Sequence, residues 1–207
     1  TNSVREETVD KKNNKSPMSG ALSGVRVIDI SNFLAGPISS MFLGDFGADV
    51  IKVEQPTGDI VRRPGSSTMG GMGTTFIGNN YTKRGIVLDL KSEEDRELAF
   101  KLVASADVAL DNFRDKDIMI RLGLGYEVLS KVNPRLIYLQ SSAYGASGPM
   151  KGMMSHEWAA QASGGHTSLN GELGGNPEFL RGTAHLDWNA AMLNCFGLLS
   201  ALYSREK

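Results

Sequence analysis

The sequence predicts an α/β protein: a doubly wound, parallel sheet with helices on both faces. Three observations lead there. Short β-branched runs, Val25-Arg26-Val27-Ile28-Asp29-Ile30 the first of them, have the length and composition of buried strands. Stretches with apolar residues at helical spacing lie between those runs. The strand–helix–strand passages are long enough for right-handed parallel crossovers rather than hairpins.

Along the chain, residues 1–20 carry mixed charge, Asn and Ser with almost nothing to bury, and read as a disordered tail or linker. Residues 21–207 read as the folded unit. After the first strand, Pro37 suits the first turn of a helix whose apolar positions are Ile38, Met41, Phe42 and Phe46, and Gly47 ends it. Asp49-Val50-Ile51-Lys52-Val53-Glu54 is the second strand. The Gly-rich stretch 65–73 (GSSTMGGMG) reads as too flexible for the interior of an element. Ile86 to Leu90 is the third strand candidate. Ser92 and Asp95 then suggest a weak capping box for a helix striped by Leu98, Leu102 and Val103. Strands are expected at 107–110 and 136–139, separated by a helix at 126–132. A second glycine cluster, 164–175, precedes a long final helix over about 187–204.

Composition narrows the partners. The 207 residues include 22 basic and 23 acidic side chains and a net charge of -1, which gives no electrostatic reason to expect nucleic acid or an anionic membrane. The single cysteine, Cys195, excludes a disulfide framework and fits a reducing cytoplasm. No apolar run is long enough for a membrane span, and the start has no secretory pattern. It opens on Thr, as a processed, excised or engineered start would. Glycine is in excess, about 12% against about 7% in typical usage, which points to tight turns or backbone close to a ligand. A cytoplasmic protein acting on a small molecule is expected.

Most short motifs fail. NFLAGP after the first strand lacks the three glycines of a dinucleotide fingerprint, and no Walker A loop occurs. His156-Glu157 opens like a zinc-protease motif, but Ala160 stands where the second histidine is needed, so no metal is expected. Ser141 and Ser142 lack a nucleophile elbow. Asn80-Tyr81-Thr82 matches a glycosylation sequon by chance. The charge run 91–101 reads as the solvated face of a helix. Asp187, at the start of an otherwise apolar helix, is either its N-cap or a carboxylate facing a cleft. His156 with Glu157 is either structural or part of a site.

Several segments in register resemble the family III CoA-transferases, the CaiB/BaiF type. These are LSGVRVIDISNFLAGPISSMFLGDFGADVIKVEQPTGD, TKRGIVLDLKS, ADVALDNFR, RLGLGYEVLSKVNPRLIYLQSSAYGASGP and LLSALYSREK. The resemblance runs from about Leu22 to Lys207. The family also includes carnitine and bile-acid CoA-transferases and α-methylacyl-CoA racemases. The resemblance implies a Rossmann-like N-terminal part that binds coenzyme A as acyl-CoA. It aligns Asn32, Phe33, Leu34 and Ala35 with a loop packing on CoA. Leu88, Asp89, Leu90 and Lys91, with Asn112, Phe113 and Arg121, align with the segment near adenine and phosphates. Gln55 stands where some members carry a phosphate-binding Arg.

Asp187 matches the family's catalytic aspartate, which forms aspartyl anhydride and aspartyl-CoA intermediates while CoA moves from an acyl-CoA donor to a carboxylic acid. His156 falls where the racemase branch has its histidine base, and Glu157 beside it completes the expected catalytic group. Trp158 and Trp188 lie close in sequence to these positions and suggest a cation–π site for an onium acid, carnitine- or dimethylsulfoniopropionate-like. Racemisation by His156 and Asp187 is the competing activity, and a non-catalytic CoA-binding module is a further alternative. Family members are longer and interlocked as dimers. The chain is therefore expected to hold the N-terminal half and to pair with a second copy or a tandem-domain partner.

Overall fold

Strands covered on both faces need apolar side chains on both, and that requirement selects the β-branched runs. The computed structural model describes residues 19–63, 68–115 and 117–207. The tail expected at the start lies outside them up to residue 18. Among the described residues seven strands form: β1 (Arg26–Asp29), β2 (Asp49–Glu54), β3 (Thr68–Met69), β4 (Met72–Gly73), β5 (Lys83–Val87), β6 (Val108–Asp111) and β7 (Ile137–Gln140). β3 and β4 pair as a small antiparallel ribbon, and the other five make one all-parallel sheet in the order β5-β2-β1-β6-β7. The helices are α1 (Ala35–Asp45), α2 (Thr74–Asn80), α3 (Glu93–Ala104), α4 (Asp117–Arg121), α5 (Tyr126–Val132), α6 (Glu157–Ser163) and α7 (His185–Arg205).

Alternation along the strands builds two cores. Val27, Val50, Val108 and Leu110 pack with Leu43 of α1 and with Cys195, Leu198 and Leu202 of α7. Ile28, Ile51, Val53 and Ala109 face the other way, against Ala99 and Val103 of α3, Met119 of α4 and Leu129 of α5. The sheet is thus doubly wound, and the direction of winding reverses between β1 and β6. A crevice opens at that point beyond the carboxyl ends of the strands, the usual ligand position in such sheets.

The structure shifts several expected elements. The third long strand runs over β5 rather than 86–90. As an edge strand it is largely exposed and needs no apolar run, and its ladder ends where Val87 pairs with Glu54. Part of the Gly-rich stretch forms the β3–β4 ribbon, and its residues 65–67 lie outside the described residues. In α3 the buried stripe is Ala99 and Val103, while Leu98 is exposed. Asp95 makes no capping box, because it accepts the Asp89 N–H at 2.7 Å and ties down the preceding turn. Phe46 lies beyond the end of α1 and is exposed. The strands expected at 107–110 and 136–139 each begin and end one residue later, at β6 and β7. Asn80 of the sequon is buried, donating to the Phe76 carbonyl and accepting from Lys83.

Charges are buried at the carboxyl end of this sheet. Lys83 Nζ donates to Asp29 Oδ2 at 2.9 Å, to the Pro37 carbonyl at 2.7 Å and to Asn80 Oδ1 at 2.8 Å, which uses all three of its protons. Asp29 also accepts the Ser31 N–H, the Ser31 hydroxyl and the Ser40 hydroxyl. Burial pushes the Asp29 carboxyl up, but Lys83, Lys52 and the two hydroxyls outweigh it and hold it well below the usual carboxylate range. A buried charge stripped of its partner is far more destabilising than a broken surface pair. Lys83→Met should therefore lower the unfolding free energy by about 3–5 kcal/mol in urea titrations. Arg84→Ala, which breaks an exposed pair with Asp49, should cost less than about 1 kcal/mol. Equal losses would show that the Asp29–Lys83 pair is not a keystone.

Candidate active site

The crevice holds a cleft of about 590 Å³. The turn between β1 and α1 supplies Asn32, Phe33, Leu34 and Ala35, and the turn after β6 supplies Asn112, Phe113 and Arg114. Ser141, Ser142 and Ala143 follow β7, Met153, Met154, Ser155 and His156 lead into α6, and Glu157, Leu186 and Asp187 come from the starts of α6 and α7. A second cavity of about 330 Å³ adjoins it, sharing Asn32, Phe113 and Ile118. Leu88, Asp89, Leu90, Lys91 and Arg121 line this one, together with Gln55. Lys91 and Arg121 are exposed, and neither is in an ion pair among the described residues.

Two asparagines lock the turns together. The Asn32 N–H donates to Asn112 Oδ1 at 2.8 Å, and Asn112 Nδ2 returns a bond to the Asn32 carbonyl at 2.6 Å. Gly36 allows this approach, since a Cβ there would lie 2.3 Å from that of Ser31. Phe33, half-exposed into the cleft, has a φ of 69°, a left-handed conformation uncommon for any residue with a side chain. Asp59 holds it there, with both carboxylate oxygens 3.2 Å from the Phe33 nitrogen.

Asp187 is not the N-cap of α7. That place belongs to Ala184, which has no capping side chain, and Asp187 is the third helical residue. The cap comes from another helix: Glu157 Oε2 accepts the N–H groups of Leu186 and Asp187 at 2.8 and 3.2 Å. Its other oxygen accepts from the fully buried Gln161, which is itself bound to both backbone groups of Leu180. Glu157 is thereby fixed beside the Asp187 carboxylate. Burial, reinforced by the negative charge of Glu157, pushes Asp187 up to about 6, with the Ala35 N–H and His156 pulling the other way. Asp187 Oδ2 is buried and has no hydrogen-bond partner among the described residues. A carboxylate in the lining of a cleft, with one oxygen buried and unpartnered, can act as a nucleophile or exchange a proton.

The eleven residues aligned with CoA contacts thus line one or the other of the adjoining cavities, and Asp187, His156 and Glu157 meet in the larger. The two tryptophans lie outside both linings. Trp188 meets the edge of Phe42 at 5.7 Å, and Trp158, largely exposed, lies between His156 and Phe179. Arg114 and the pair Ser141 and Ser142 were not singled out as ligand contacts from sequence, although both lie inside the segments that carry the resemblance.

Known proteins match this chain in sequence and in fold. A sequence profile of CoA-transferase family III matches residues 22–207. The succinyl-CoA--L-malate CoA-transferase beta subunit of Chloroflexus aurantiacus is 39% identical over 187 residues, 90% of this chain and 46% of its own length. Acetyl-CoA:oxalate CoA-transferase of Acetobacter aceti is 39% identical over 189 residues, covering 91% of this chain and 48% of itself. The crystal structure of a CaiB/BaiF family protein from Brucella suis superposes with a TM-score of 0.86 at 36% identity, over 91% of this chain and 50% of that one. The chain spans about half the length of these relatives. With a profile match over nearly its whole folded length, a shared fold and relatives above a third identical, the chain belongs to CoA-transferase family III.

Proposed function

We propose that this chain provides the thioester-handling part of an enzyme that moves CoA from an acyl-CoA donor to a small carboxylic acid, with Asp187 as nucleophile. The observation behind this is the buried, unpartnered Oδ2 of Asp187 in the larger cleft. The carboxylate attacks the thioester carbonyl. The C–S bond breaks, CoA leaves as thiolate, and an aspartyl–acyl anhydride forms. The thiolate then attacks the aspartyl carbonyl, releasing the donor acid and leaving an aspartyl-CoA thioester. The acceptor carboxylate attacks that thioester to give a second anhydride and thiolate, and the thiolate takes the acceptor acyl group, freeing Asp187. No net proton or electron is gained. Ala35, at the start of α1 and in the lining of the same cleft as Asp187, offers its N–H to the oxyanions. Lys91 and Arg121 in the second cavity suit phosphates as a point charge and a fork.

The acid acceptor follows from the lining and from the relatives. Neither tryptophan is in the cleft lining, where the aromatic side chains are Phe33 and Phe113. The relatives named above take malate and oxalate, and we propose a short carboxylic acid of that kind. A second copy or a companion polypeptide completes the enzyme in this reading, which places it in the cytoplasm. Racemisation is the second reading, favoured by the presence of His156 and Asp187 in one cleft. There the two would remove and return an α-proton through an enolate.

Mass spectrometry separates the readings. Mixing the protein with an acyl-CoA should give an acyl or CoA adduct that hydroxylamine discharges and that Asp187→Ala abolishes. Loss of the adduct with continued exchange of the α-proton for deuterium would replace transfer by racemisation.

The raised pKa of Asp187 also has a stability signature. The folded state holds this proton more tightly than the unfolded chain, so stability falls as pH rises from about 4 through about 6 and the penalty is complete above that. Asp187→Asn removes it. The variant should exceed wild type by about 1 kcal/mol at pH 8, after allowing for solvent screening of a half-buried group, and the gap should close near pH 4. An identical difference at both pH values in urea titrations would rule the strained carboxylate out.

A further inference from the structure

We propose that Asp111 is a positioning residue for Phe113: its buried carboxylate fixes the turn that carries the Phe113 ring to the place where the two cavities meet. The inference rests on the reading that CoA lies across both of them.

Asp111 ends β6 and is fully buried. Its Oδ1 accepts the Phe113 N–H at 3.0 Å, its Oδ2 accepts the Tyr138 hydroxyl at 2.5 Å, and its carbonyl accepts the Ser141 N–H at 2.9 Å. One residue thus joins the turn after β6 to β7 and to the serine that follows β7. Phe113 and Ser141 both line the larger cleft, and Phe113 lines the second cavity as well.

The partners of Asp111 set it apart from the other buried acids. Asp29 has Lys83 and Asp59 has Lys52, at 2.9 and 3.1 Å. Among the described residues no cation pairs with Asp111, and both donors to its carboxylate are neutral. A buried acid without a counter-charge is costly, and to the sheet alone it is a liability. What the carboxylate holds in return is the turn. An aspartate at a strand end can accept the N–H two residues on and so bend the chain. The Phe113 N–H has no other acceptor among the described residues, so the direction in which the chain leaves β6 depends on Asp111. Asn112, between the two, is tied sideways to Asn32. That tie sets the distance to the β1–α1 turn, while Asp111 sets where Phe113 stands. A ligand bound across both cavities passes that ring.

The test measures CoA binding to the protein by calorimetry, which needs no turnover. Asp111→Ala alone would strand the Tyr138 hydroxyl, so it is placed on Tyr138→Phe, and that single variant is the reference. Removing both partners of a buried hydrogen bond costs far less than removing one. Circular dichroism and urea midpoints report the fold. Adding Asp111→Ala should weaken CoA binding about 10-fold, as loss of a hydrogen bond to a charged group does. In a Phe113→Ala background the same step should change CoA affinity little, because Asp111 acts through that ring. Asp111→Asn, which keeps an oxygen for the Phe113 N–H, should bind CoA nearly as wild type does. If the alanine variant does not fold, Asp111→Val, better suited to a strand, is read in the same way. An equal loss with and without the Phe113 ring, or no loss in a folded variant, overturns the proposal. Wild-type protein that binds no CoA removes the CoA reading and this proposal with it. A Phe113-dependent loss in a protein that shows no transfer upholds the positioning and removes the transferase reading alone.

Discussion

The geometry of the cleft depends on charge buried at the carboxyl end of the sheet. Asp29 and Lys52 are register partners on adjacent strands, and Lys83 reaches Asp29 from the edge strand next to them. Isolated, each of these ions would be strongly disfavoured in that environment. They are tolerated because every one has its counter-charge and its hydrogen bonds in place, and that completeness makes the arrangement rigid. The Lys83 ammonium holds the Pro37 carbonyl in the first turn of α1, and Lys52 holds the Ser31 carbonyl just before it. The β1–α1 turn is thereby fixed from beneath, by two lysines that lie in neither cavity lining.

From the other side the cleft is closed by the start of α7, and here the sheet contributes nothing directly. Glu157 caps α7 from α6 and at the same time places a second carboxylate beside Asp187. Two like charges and partial burial make Asp187 an uncomfortable anion. In the proposed reaction this strain serves catalysis, because a carboxylate that is poorly solvated and has one unpartnered oxygen is a better nucleophile than one tied up in ion pairs. Such sites take stability from elsewhere in the fold, and the dense core between α1 and α7, with Ile38, Met41 and Ala191 at its centre, is where this one is anchored.

Much of this was legible in the sequence, and what was missed has a common cause. β2 and α5 fall at the expected residues because their apolar patterns answer to burial on known faces. β5 was displaced because an edge strand has no such pattern, and the short helices α2, α4 and α6 were not anticipated. Asp187 was visible as an acid at the head of an apolar helix, but pattern alone left it either a cap or a carboxylate facing a cleft. Only topology shows that Glu157 does the capping, from 30 residues away. Lys52 had a local signal, a lysine inside a run that otherwise reads as buried strand. Ser31 lies 21 residues from Lys52 and Phe33 lies 26 from Asp59, so the clamp on Phe33 was hidden until the fold brought them together.

The central claim is that a CoA thioester lies across the two adjoining cavities with its carbonyl at Asp187. A crystal structure of the protein with a non-cleavable acyl-CoA analogue, its thioester sulfur replaced by methylene, tests it most directly. The carbonyl should lie in contact with Asp187 Oδ2, and the nucleotide should lie in the second cavity beside Lys91 and Arg121. An analogue bound with its carbonyl away from Asp187, or with its nucleotide outside the second cavity, would contradict it.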